Sequence, residues 1–579
     1  MAIGTPSQSP AIIVKELDRS GVVPNVQTTT GAFVGNFNWG PVKQATLVST
    51  ESALVETFGS PDSSNTIDFH SAAYFLRYAN TMQVVREVTS AAKNSYDSDA
   101  NATVLVTNRD NWDDQIAARD AAKHTFVAKW PGNLGNSLKI SFLPADSDNA
   151  TTIFDAWPFK SSFDAAPTTS THAANRTATS DEVHVAVIDE DGLFTGTKGS
   201  VLETFPFVSI ALGAQNADGS TNFIKDVINN QSEYVWMAGF GDENKFSALA
   251  GTTADSGDAY LQRTGAPDAV NISLKNGINS AALTPTEFAT GFDKFEDADT
   301  ITVDFLIAPG MSSRTDQTTV VNDLVGIAQT TRKDCVVTAS PARSDVVAST
   351  TPVTNAVTTA NTFTNSSYLI VDNNYLKIYD KYTDQYIQIP ASSSTAGIMA
   401  ASDFNTAPWF SPAGPRRGQY VGITSLSYSP NKSERDTLYK AGLNPIANIP
   451  GQGVLLFGDK TKLARPSAFD RINVRRLFLG IERAIAIAAR NVMFEFNDEF
   501  TRAEFKNVVE PFLREIQGRR GITDFRVVCD DTNNTAAVID RNEFKANIFI
   551  KPARSINYVT LTFVAVRTGV DFAEIVGTV

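Results

Sequence analysis

The stretch GDKTKLARPSAFDRINVRRLFLGIERAIAIAARNVMFEFNDEFTRAEFKNVVEPFLREIQGRRG, from Gly458 to Gly521, decides how the C-terminal part of this 579-residue chain folds. Its spacing predicts two successive helices, because apolar residues recur three and four positions apart and so share one face. The apolar stripe of the first helix contains Leu477, Ile481, Ala484, Ile485, Ala488 and Val492. The stripe of the second contains Phe505, Val508, Val509, Phe512 and Ile516.

The ends of the two helices are marked by short polar motifs. Asn497 or Asp498 ends the first helix. Thr501, with Glu504 three residues later, predicts a capping box at the start of the second. We expect Pro511 to kink this helix and Gly518 to end it.

The charge of this stretch differs from that of the whole chain. From 460 to 520 there are thirteen Lys or Arg and eight Asp or Glu, whereas the net charge of the chain is −14. A basic helical pair in an acidic protein indicates a surface that meets an acidic partner. A solvated helix face with ordinary intrachain ion pairs explains the same pattern equally well.

Long runs in this region carry a resemblance to a known family. They include PWFSPAG (408–414), LYKAGLNPI (438–446), ARPSAFDRINVRRLFL (464–479), FLREIQGRRGI (512–522) and VVCDDTNN (527–534), with GAFVGNFNWGPV (31–42) near the other end. On these runs the chain resembles the sheath proteins of contractile phage tails of the T4-like kind. The resemblance covers about half of the chain.

The fold class predicted from order, length and resemblance is a multidomain α+β protein. An α/β sheath core is built from the N- and C-terminal parts of the chain, with mainly-β insertion domains in the middle and extended terminal arms. A chain of 579 residues is too long for one core. The predicted parts are an N-terminal arm (1–27), the first part of the core (28–92), the outer insertion (93–300), an α/β domain (301–405), the C-terminal sheath core (406–569) and a C-terminal arm (570–579).

Both ends of the chain carry short apolar segments. A lone strand such as Ala11–Leu17 cannot pair its own backbone groups, so it joins either an edge of its own chain or a neighbouring molecule. The resemblance implies the neighbour, because sheath subunits are connected by arms that donate strands. The arm residues predicted to make these contacts are Ile12, Val14, Leu17, Phe572, Ile575 and Val576.

The resemblance also implies partners and a location. Copies of the chain would stack as rings around an inner tail tube, with baseplate and tail terminator proteins at the ends, in the tail of a virion assembled in the host cytoplasm. The basic stretch would contact the tube, and the residues predicted for that face are Arg502, Lys506, Arg514, Arg519 and Arg520.

Several classes of function are not supported by the sequence. An overall acidic charge argues against direct nucleic-acid binding, and no apolar run approaches the roughly 20 residues of a membrane span. The four histidines do not have the spacing of a zinc site, and there is no phosphate-binding loop, so we expect neither metal nor cofactor. The two cysteines, Cys335 and Cys529, are predicted to be buried structural thiols.

The middle of the chain leaves other interpretations open. The pattern of Thr300–Ala339 predicts a strand, a helix and a second strand parallel to the first. Within it, Gly310-Met311-Ser312 matches half of the nucleophile-elbow motif, but Arg314 occupies the position of the closing glycine. A hydrolase or nucleotide-binding enzyme is therefore an alternative. A sheath from a non-phage injection device, such as a tailocin, is another.

Two further predictions concern the segments that follow. Ser349–Ser367 is rich in Thr, Ser and Asn and is predicted to be a loop. Tyr368–Ile389 is predicted to form a pair of strands that turn at the Asp-Asn-Asn sequence 372–374.

Overall fold

A computed structural model describes residues 29–97, 104–121, 124–145, 150–176, 179–239, 252–255, 258–261 and 269–557. The described residues belong to two compact units. The C-terminal unit contains Trp409–Ser411 and the residues from Arg476 onward, and the larger unit contains the residues up to Pro408 together with Pro412–Arg475. The predicted arms, including Ile12, Val14, Leu17, Phe572, Ile575 and Val576, lie outside the described residues.

Strands and helices alternate along the chain, so the predicted mixed, multidomain organisation is confirmed. The described strands are β1 (Gly31–Gly35), β2 (Ala45–Val48), β3 (Met82–Arg86), β4 (Phe126–Ala128), β5 (Leu138–Pro144), β6 (Glu182–Asp189), β7 (Ser200–Ser209), β8 (Val235–Met237), β9 (Thr252–Asp255), β10 (Asp258–Leu261), β11 (Val270–Ser273), β12 (Phe305–Ile307), β13 (Val336–Ala339), β14 (Leu369–Val371), β15 (Tyr375–Asp380), β16 (Gln385–Pro390), β17 (Ser425–Leu426), β18 (Ile446–Ile449), β19 (Gly453–Leu456), β20 (Ile522–Val528) and β21 (Asn547–Pro552).

The described α-helices are α1 (Glu51–Phe58), α2 (Thr66–Leu76), α3 (Arg109–Ala121), α4 (Ala150–Ala156), α5 (Thr171–Ala174), α6 (Ile224–Gln231), α7 (Pro285–Phe292), α8 (Arg314–Gly326), α9 (Arg343–Val346), α10 (Pro352–Thr362), α11 (Ser392–Asn405), α12 (Lys432–Lys440), α13 (Ile472–Arg490), α14 (Glu499–Gly518) and α15 (Ala536–Ile539). None of the described helices is both long and apolar enough to cross a membrane.

A six-stranded sheet forms the centre of the larger unit, in the order β14-β13-β12-β1-β3-β2. All neighbouring pairs are parallel except β2 with β3. Its inner strands are continuous apolar runs because helices cover both faces: α7 packs on β1 and β3, whereas α11 packs on β12 and β13. The N-terminal segment therefore shares one sheet with the strand-helix-strand unit predicted at 300–339.

The insertion between β3 and β12 contains a four-stranded antiparallel sheet, in the order β11-β5-β6-β7. Alternating apolar residues of β5 and β6, such as Ile140, Phe142, Val185 and Val187, form its buried core. The hairpin predicted at Asp191-Gly192 joins β6 to β7, and Gly192 has a φ of +78°. The insertion also contains helices α3 to α6.

The loop predicted at 349–367 is wrong, because α10 occupies most of it. Pro352 stands at the start of this helix, where its missing N–H costs nothing. The buried side is made of Ala356, Thr359 and Ala360, and such small residues produce no apolar periodicity that could be read from the sequence.

The hairpin predicted to turn at 372–374 is also wrong. β14 belongs to the central sheet, and the hairpin is formed by β15 and β16, which turn at residues 381–384. Asp372, Asn373 and Asn374 are fully buried, and their side chains bind neighbouring segments instead of forming an exposed turn. Asp372 accepts a hydrogen bond from the Ser340 hydroxyl (3.0 Å).

In the C-terminal unit, α13 and α14 pack with β20 and β21 around one apolar core. Leu477 and Ile481 of α13 meet Phe505, Val509 and Ile516 of α14 in this core, as the two predicted stripes require. Leu513, which the predicted stripe did not contain, is buried in the same core. The inward side chains of the β20–β21 hairpin come from alternate positions, and Phe525, Ile548 and Ile550 among them are partly buried against this core. Cys529 is buried in the same core, and Cys335 is buried in the larger unit, as predicted.

The capping box predicted at Thr501 and Glu504 is wrong. α14 begins three residues earlier, at Glu499, with Asp498 as its N-cap. The Asp498 carboxylate accepts a hydrogen bond from the backbone N–H of Thr501 (2.8 Å), which lowers the pKa of this exposed carboxyl. Asp498 and Thr501 are both good caps, and only the earlier one lets the helix bury Thr501 and Arg502.

Candidate functional site

The basic residues predicted for the tube-facing surface do not share one environment. Arg502 is buried, with its side chain 8% exposed, and forms an ion pair with Asp531 (2.7 Å). It also donates to the Asn497 side-chain oxygen (3.1 Å). Its position explains this, because 502 lies three residues before Phe505 and seven before Val509, on the buried stripe of α14.

The other four predicted residues lie on accessible parts of α14 and its C-terminal end. Arg514, Arg519 and Arg520 are exposed, and Lys506 is half-exposed. Lys506 lies 3.5 Å from Glu510, and Arg519 lies 3.7 Å from Glu515, each one helical turn away. Such exposed pairs hold their partners weakly, so these side chains can still meet another charged surface.

The C-terminal end of α14 is held in place by Trp409. The Trp409 indole N–H donates to the Arg519 carbonyl oxygen (3.1 Å), and the Arg519 guanidinium lies over the indole ring at 5.1 Å. Arg520 has a φ of +67°, and the next residue, Gly521, packs tightly. A Cβ at Gly521 would lie 2.6 Å from Ile516 and 3.0 Å from Trp409. The basic end is therefore rigidly placed.

Much of the basic excess earlier in the stretch is used inside the larger unit. Arg475 is buried, lies over the Tyr368 ring at 4.1 Å and donates to the Tyr368 hydroxyl (3.0 Å). Lys462 is buried and donates to the Ala441 carbonyl oxygen (2.7 Å), and burial lowers its pKa. Part of the excess of basic residues is therefore bound within the chain. The basic residues that can form a surface for an acidic partner lie in the C-terminal half of α14 and directly after it.

The β20–β21 hairpin presents backbone edges near these helices. Among the described residues its sheet has only two strands, so each strand has one edge that pairs with no further strand. The outward side chains of β21 are exposed, as the alternation of burial along Asn547–Pro552 shows. A two-stranded sheet of this kind can accept additional strands at its edges.

The Ser312 region has the form of a helix cap. Ser313, next to it, caps α8 by accepting from the Asp316 N–H (3.1 Å), and Arg314 forms an ion pair with Asp345 (2.6 Å). The adjacent end of β12 is closed, because a Cβ at Gly310 would lie 3.0 Å from Pro390. Arg314, the residue that breaks the elbow pattern, therefore has a structural use.

The buried polar groups near this end of the sheet hold segments together. The carboxyl of Asp372 also accepts from the backbone N–H of Asn374 (3.2 Å) and from the Thr395 hydroxyl (3.3 Å), and burial raises its pKa to about 7. His70, in turn, lies 2.9 Å from Asp380 in a buried pair. In the part of the chain that the structure describes, no group of three or more His, Cys, Asp or Glu side chains is placed to hold a metal ion.

One surface feature was not predicted. The segment from the turn after α13 into the first turn of α14 exposes Met493, Phe494, Phe496 and Phe500, and Phe494 is fully exposed. This segment is called the Met493–Phe500 turn below. These residues belong to the run NVMFEFNDEF and are not part of the apolar stripe of either helix. Large apolar residues outside both stripes are the sequence signal that could have identified this surface.

Comparison with known proteins confirms the resemblance. Residues 464–565 match the family model of the phage tail sheath C-terminal domain, and residues 281–462 match that of the phage tail sheath protein central domain. The tail sheath protein of Vibrio phage KVP40 is 30% identical to this chain, over 98% of this chain and 99% of its own length. The tail sheath protein of Enterobacteria phage T4 is also 30% identical, with the same two coverages.

A solved structure shares the fold. The sheath tail protein of Listeria innocua superposes with a TM-score of 0.54 at 13% identity, covering 92% of this chain and 93% of its own. Two near-complete relatives at 30% identity carry the assignment of family, and the solved structure agrees with it in fold. The chain belongs to the family of phage tail sheath proteins.

Proposed function

We propose that this chain is the structural subunit of a contractile phage tail sheath. Copies polymerise as stacked rings around an inner tail tube, and contraction of the polymer drives the tube through the host envelope so that the genome can be delivered. The observation that carries this proposal is the match to tail sheath proteins over 98% of the chain. Baseplate and tail terminator proteins bind the two ends of the polymer, which forms part of the virion and is assembled in the host cytoplasm.

The terminal arms connect the copies. Residues 1–27 and 570–579 supply apolar strands through Ile12, Val14 and Leu17, and through Phe572, Ile575 and Val576. The open edges of the β20–β21 hairpin support this step, because an added strand would pair backbone groups that pair with no other described strand. Strands exchanged between copies keep the polymer connected while the subunits move.

The inner tube is contacted by exposed basic residues of α14 and of the two positions that follow it. These are Lys506, Arg514, Arg519 and Arg520, whereas Arg502 is left out because its charge is bound inside the unit. The contact is electrostatic, so it sets orientation and register more than affinity. A weak contact of this kind is compatible with a sheath that must dissociate from the tube when it contracts.

The mechanical work comes from assembly, with no chemical reaction catalysed by the chain. The extended polymer is metastable, and contraction moves subunits as rigid bodies about flexible arms. Contacts formed between subunits in the contracted state supply the driving force. Each contact is modest, but in a polymer the contributions of many copies add.

The test is negative-stain electron microscopy of the purified chain over a series of concentrations. We expect hollow cylinders of regular width above a threshold concentration. Uniform single particles at every concentration, even with tube protein added, would contradict the proposal and would favour an enzyme whose site includes Gly310–Arg314. The tailocin alternative is decided by the neighbouring genes, since capsid and terminase genes accompany a phage tail.

A further inference from the structure

The turn between α13 and α14 exposes an unusual amount of apolar surface. Phe494 is fully exposed, Phe496 is 84% exposed and Phe500 is 77% exposed, and Met493 lies beside them in the sequence. A phenylalanine side chain can bury roughly 150–250 Å², so the three rings alone present about 500 Å². Summed over the three rings, this area is comparable with the largest apolar patch on a typical monomeric protein, which is often a binding surface.

The turn holds these rings outward. Phe494 has a φ of +71°, a left-handed conformation that is rare for a bulky residue. Asn497 anchors the turn, because its side-chain amide donates to the Glu543 carbonyl oxygen (2.8 Å) and to the Asn534 side-chain oxygen (3.2 Å). The apolar turn is thus a fixed feature of the C-terminal unit.

The rim of the turn is acidic. Glu495, Asp498 and Glu499 lie between or beside the exposed rings, and all three side chains are exposed. A surface that covers the turn well must therefore be apolar at its centre and basic around it.

The outer face of the β20–β21 hairpin has that character. Arg526 lies opposite Phe549 in the strand register, and Phe549 is 58% exposed. Lys551 and the exposed Arg554 and Ile556 extend this face and the segment after it. The acidic residue on the face, Asp524, is held by Lys551 at 3.0 Å.

We propose that the Met493–Phe500 turn of one copy docks on the outer face of the β20–β21 hairpin of a second copy of this chain. The two surfaces differ and belong to the same chain, so each copy binds the next through a heterologous contact, which is the kind that builds open helical polymers. The inference rests on the proposed function only in requiring that copies associate. It assigns the turn to contacts between sheath copies and not to the tube.

The test uses the full chain with Phe494→benzoylphenylalanine, a photoreactive substitution that keeps an aromatic side chain. Equal amounts of ordinary and ¹⁵N-labelled protein are mixed, assembled, irradiated and digested for mass spectrometry. We expect cross-linked peptides that join residue 494 of one copy to residues 524–556 of a differently labelled copy. The inference would be overturned if residue 494 were cross-linked only within its own copy. It would also be overturned by cross-links only to residues 1–28 or 558–579 of either copy, or only to added tube protein.

A charge exchange gives an independent readout. Two double variants reverse the charge of one surface each: Glu495→Lys with Glu499→Lys, and Arg526→Glu with Arg554→Glu. Each is expected to raise the threshold concentration for polymerisation about ten-fold. A variant with all four substitutions should return the threshold most of the way to that of the parent. Asp110→Lys with Asp114→Lys, two exposed acids of α3, is the control and should change the threshold little. Cylinders that form without the cross-link or the rescue would overturn the docking and leave the proposed function intact. Failure of the unmodified chain to polymerise would overturn both.

Discussion

The Arg86 guanidinium donates a hydrogen bond to the carbonyl oxygen of Pro131, and so joins the central sheet to the insertion. Arg86 ends β3, and Pro131 follows β4 of the insertion. The same guanidinium donates to the carbonyl oxygens of Phe37 and Gly40, each at 2.8 Å. Burial lowers the pKa of Arg86 to about 9, so the side chain is charged at neutral pH and satisfied by backbone carbonyls.

We predict that Arg86→Met destabilises the larger unit by about 3 kcal/mol, because three buried carbonyl groups lose their donor. Arg86→Lys should recover only part of the loss, since an ammonium cannot span the three acceptors. The measurement is the melting temperature of the full chain under conditions that prevent polymerisation. Arg541→Met, at an exposed pair with Glu543, is the control and should melt like the parent. Equal melting temperatures for all variants would show that Arg86 does not hold the two parts together.

We predict that Asp372→Asn changes the pH dependence of stability. The folded-state pKa of Asp372 is about 7, above that of an unfolded aspartate, so its contribution to stability is complete below about pH 4 and is lost as pH rises through 7. The variant should gain stability relative to the parent between pH 5 and pH 8, by at most about 4 kcal/mol. Burial also raises the pKa of Asp68 and Glu87, but these groups are present in both proteins and cancel in the comparison. Parallel melting curves across this range would contradict the prediction.

We predict that Gly521→Ala destabilises the C-terminal unit by about 1–3 kcal/mol, because the added methyl group would overlap Ile516 and press on Trp409. Gly518→Ala is the matched control. A Cβ at 518 meets no atom within 4 Å, so this change should be neutral or slightly stabilising. Hydrogen–deuterium exchange of the peptides that contain Ile516 and Gly521 follows this part of the chain during unfolding. A loss at Gly518 equal to that at Gly521 would indicate a helix-end effect and not crowding.

We predict that deletion of Val570–Val579 abolishes polymerisation without unfolding the chain, because in the proposed function this arm supplies strands to neighbouring copies. Sedimentation and electron microscopy of the truncated protein measure assembly, and circular dichroism measures folding. Phe572→Ser with Val576→Ser should have the same effect in milder form. Intact cylinders from the truncated chain would remove the C-terminal arm from the connections between subunits.

We predict that Arg519→Glu with Arg520→Glu prevents assembly of the sheath on inner tubes while self-assembly without tubes continues. The reversed charges would repel an acidic tube surface. Co-sedimentation with purified tubes at low and at high salt is the measurement, since an electrostatic contact weakens with salt. Hydrogen–deuterium exchange of the peptides around Trp409 and residues 516–521 checks that the end of α14 keeps its packing. Unchanged binding to tubes would exclude these two arginines from the contact.

The elements that could be predicted were those whose apolar residues recur with a clear period. α13 and α14 follow from their stripes, and Leu477, Ile481, Phe505 and Val509 are buried where the spacing places them. The parallel strands β12 and β13 follow from short apolar runs on either side of a helical pattern.

The elements that were missed bury small or polar residues. α11 begins with Ser392-Ser393-Ser394-Thr395, all buried, and the Ser392 hydroxyl donates to the Ala308 carbonyl oxygen (2.9 Å). Residues 392–400 of this helix are all buried and are mostly Ser, Ala, Thr and Gly, with Ile398 and Met399 the two large apolar residues among them. Such a sequence has no apolar stripe to detect. Its contacts come from distant parts of the chain, which the local sequence does not contain.

The candidate site was predicted in part for a related reason. Charge identified Lys506, Arg514, Arg519 and Arg520 as basic residues on α14, but only the register of the helix shows that Arg502 lies on its buried stripe. That register was available from the spacing of Phe505, Val509 and Leu513. The exposed phenylalanines were not predicted, because apolar residues are usually expected in the core. Their positions outside both stripes are the evidence for exposure that the sequence contains.

The pairing of β1 with β12 also affects how the chain folds during its synthesis on the ribosome. About 220 residues separate the end of β3 from the start of β12, and the ribosome adds roughly 5–20 residues per second, so β1 waits on the order of ten to forty seconds for its second neighbour. During that interval one apolar edge of the nascent sheet is open. Folding of the insertion as a separate body before β12 emerges would keep the waiting strands of different nascent chains apart.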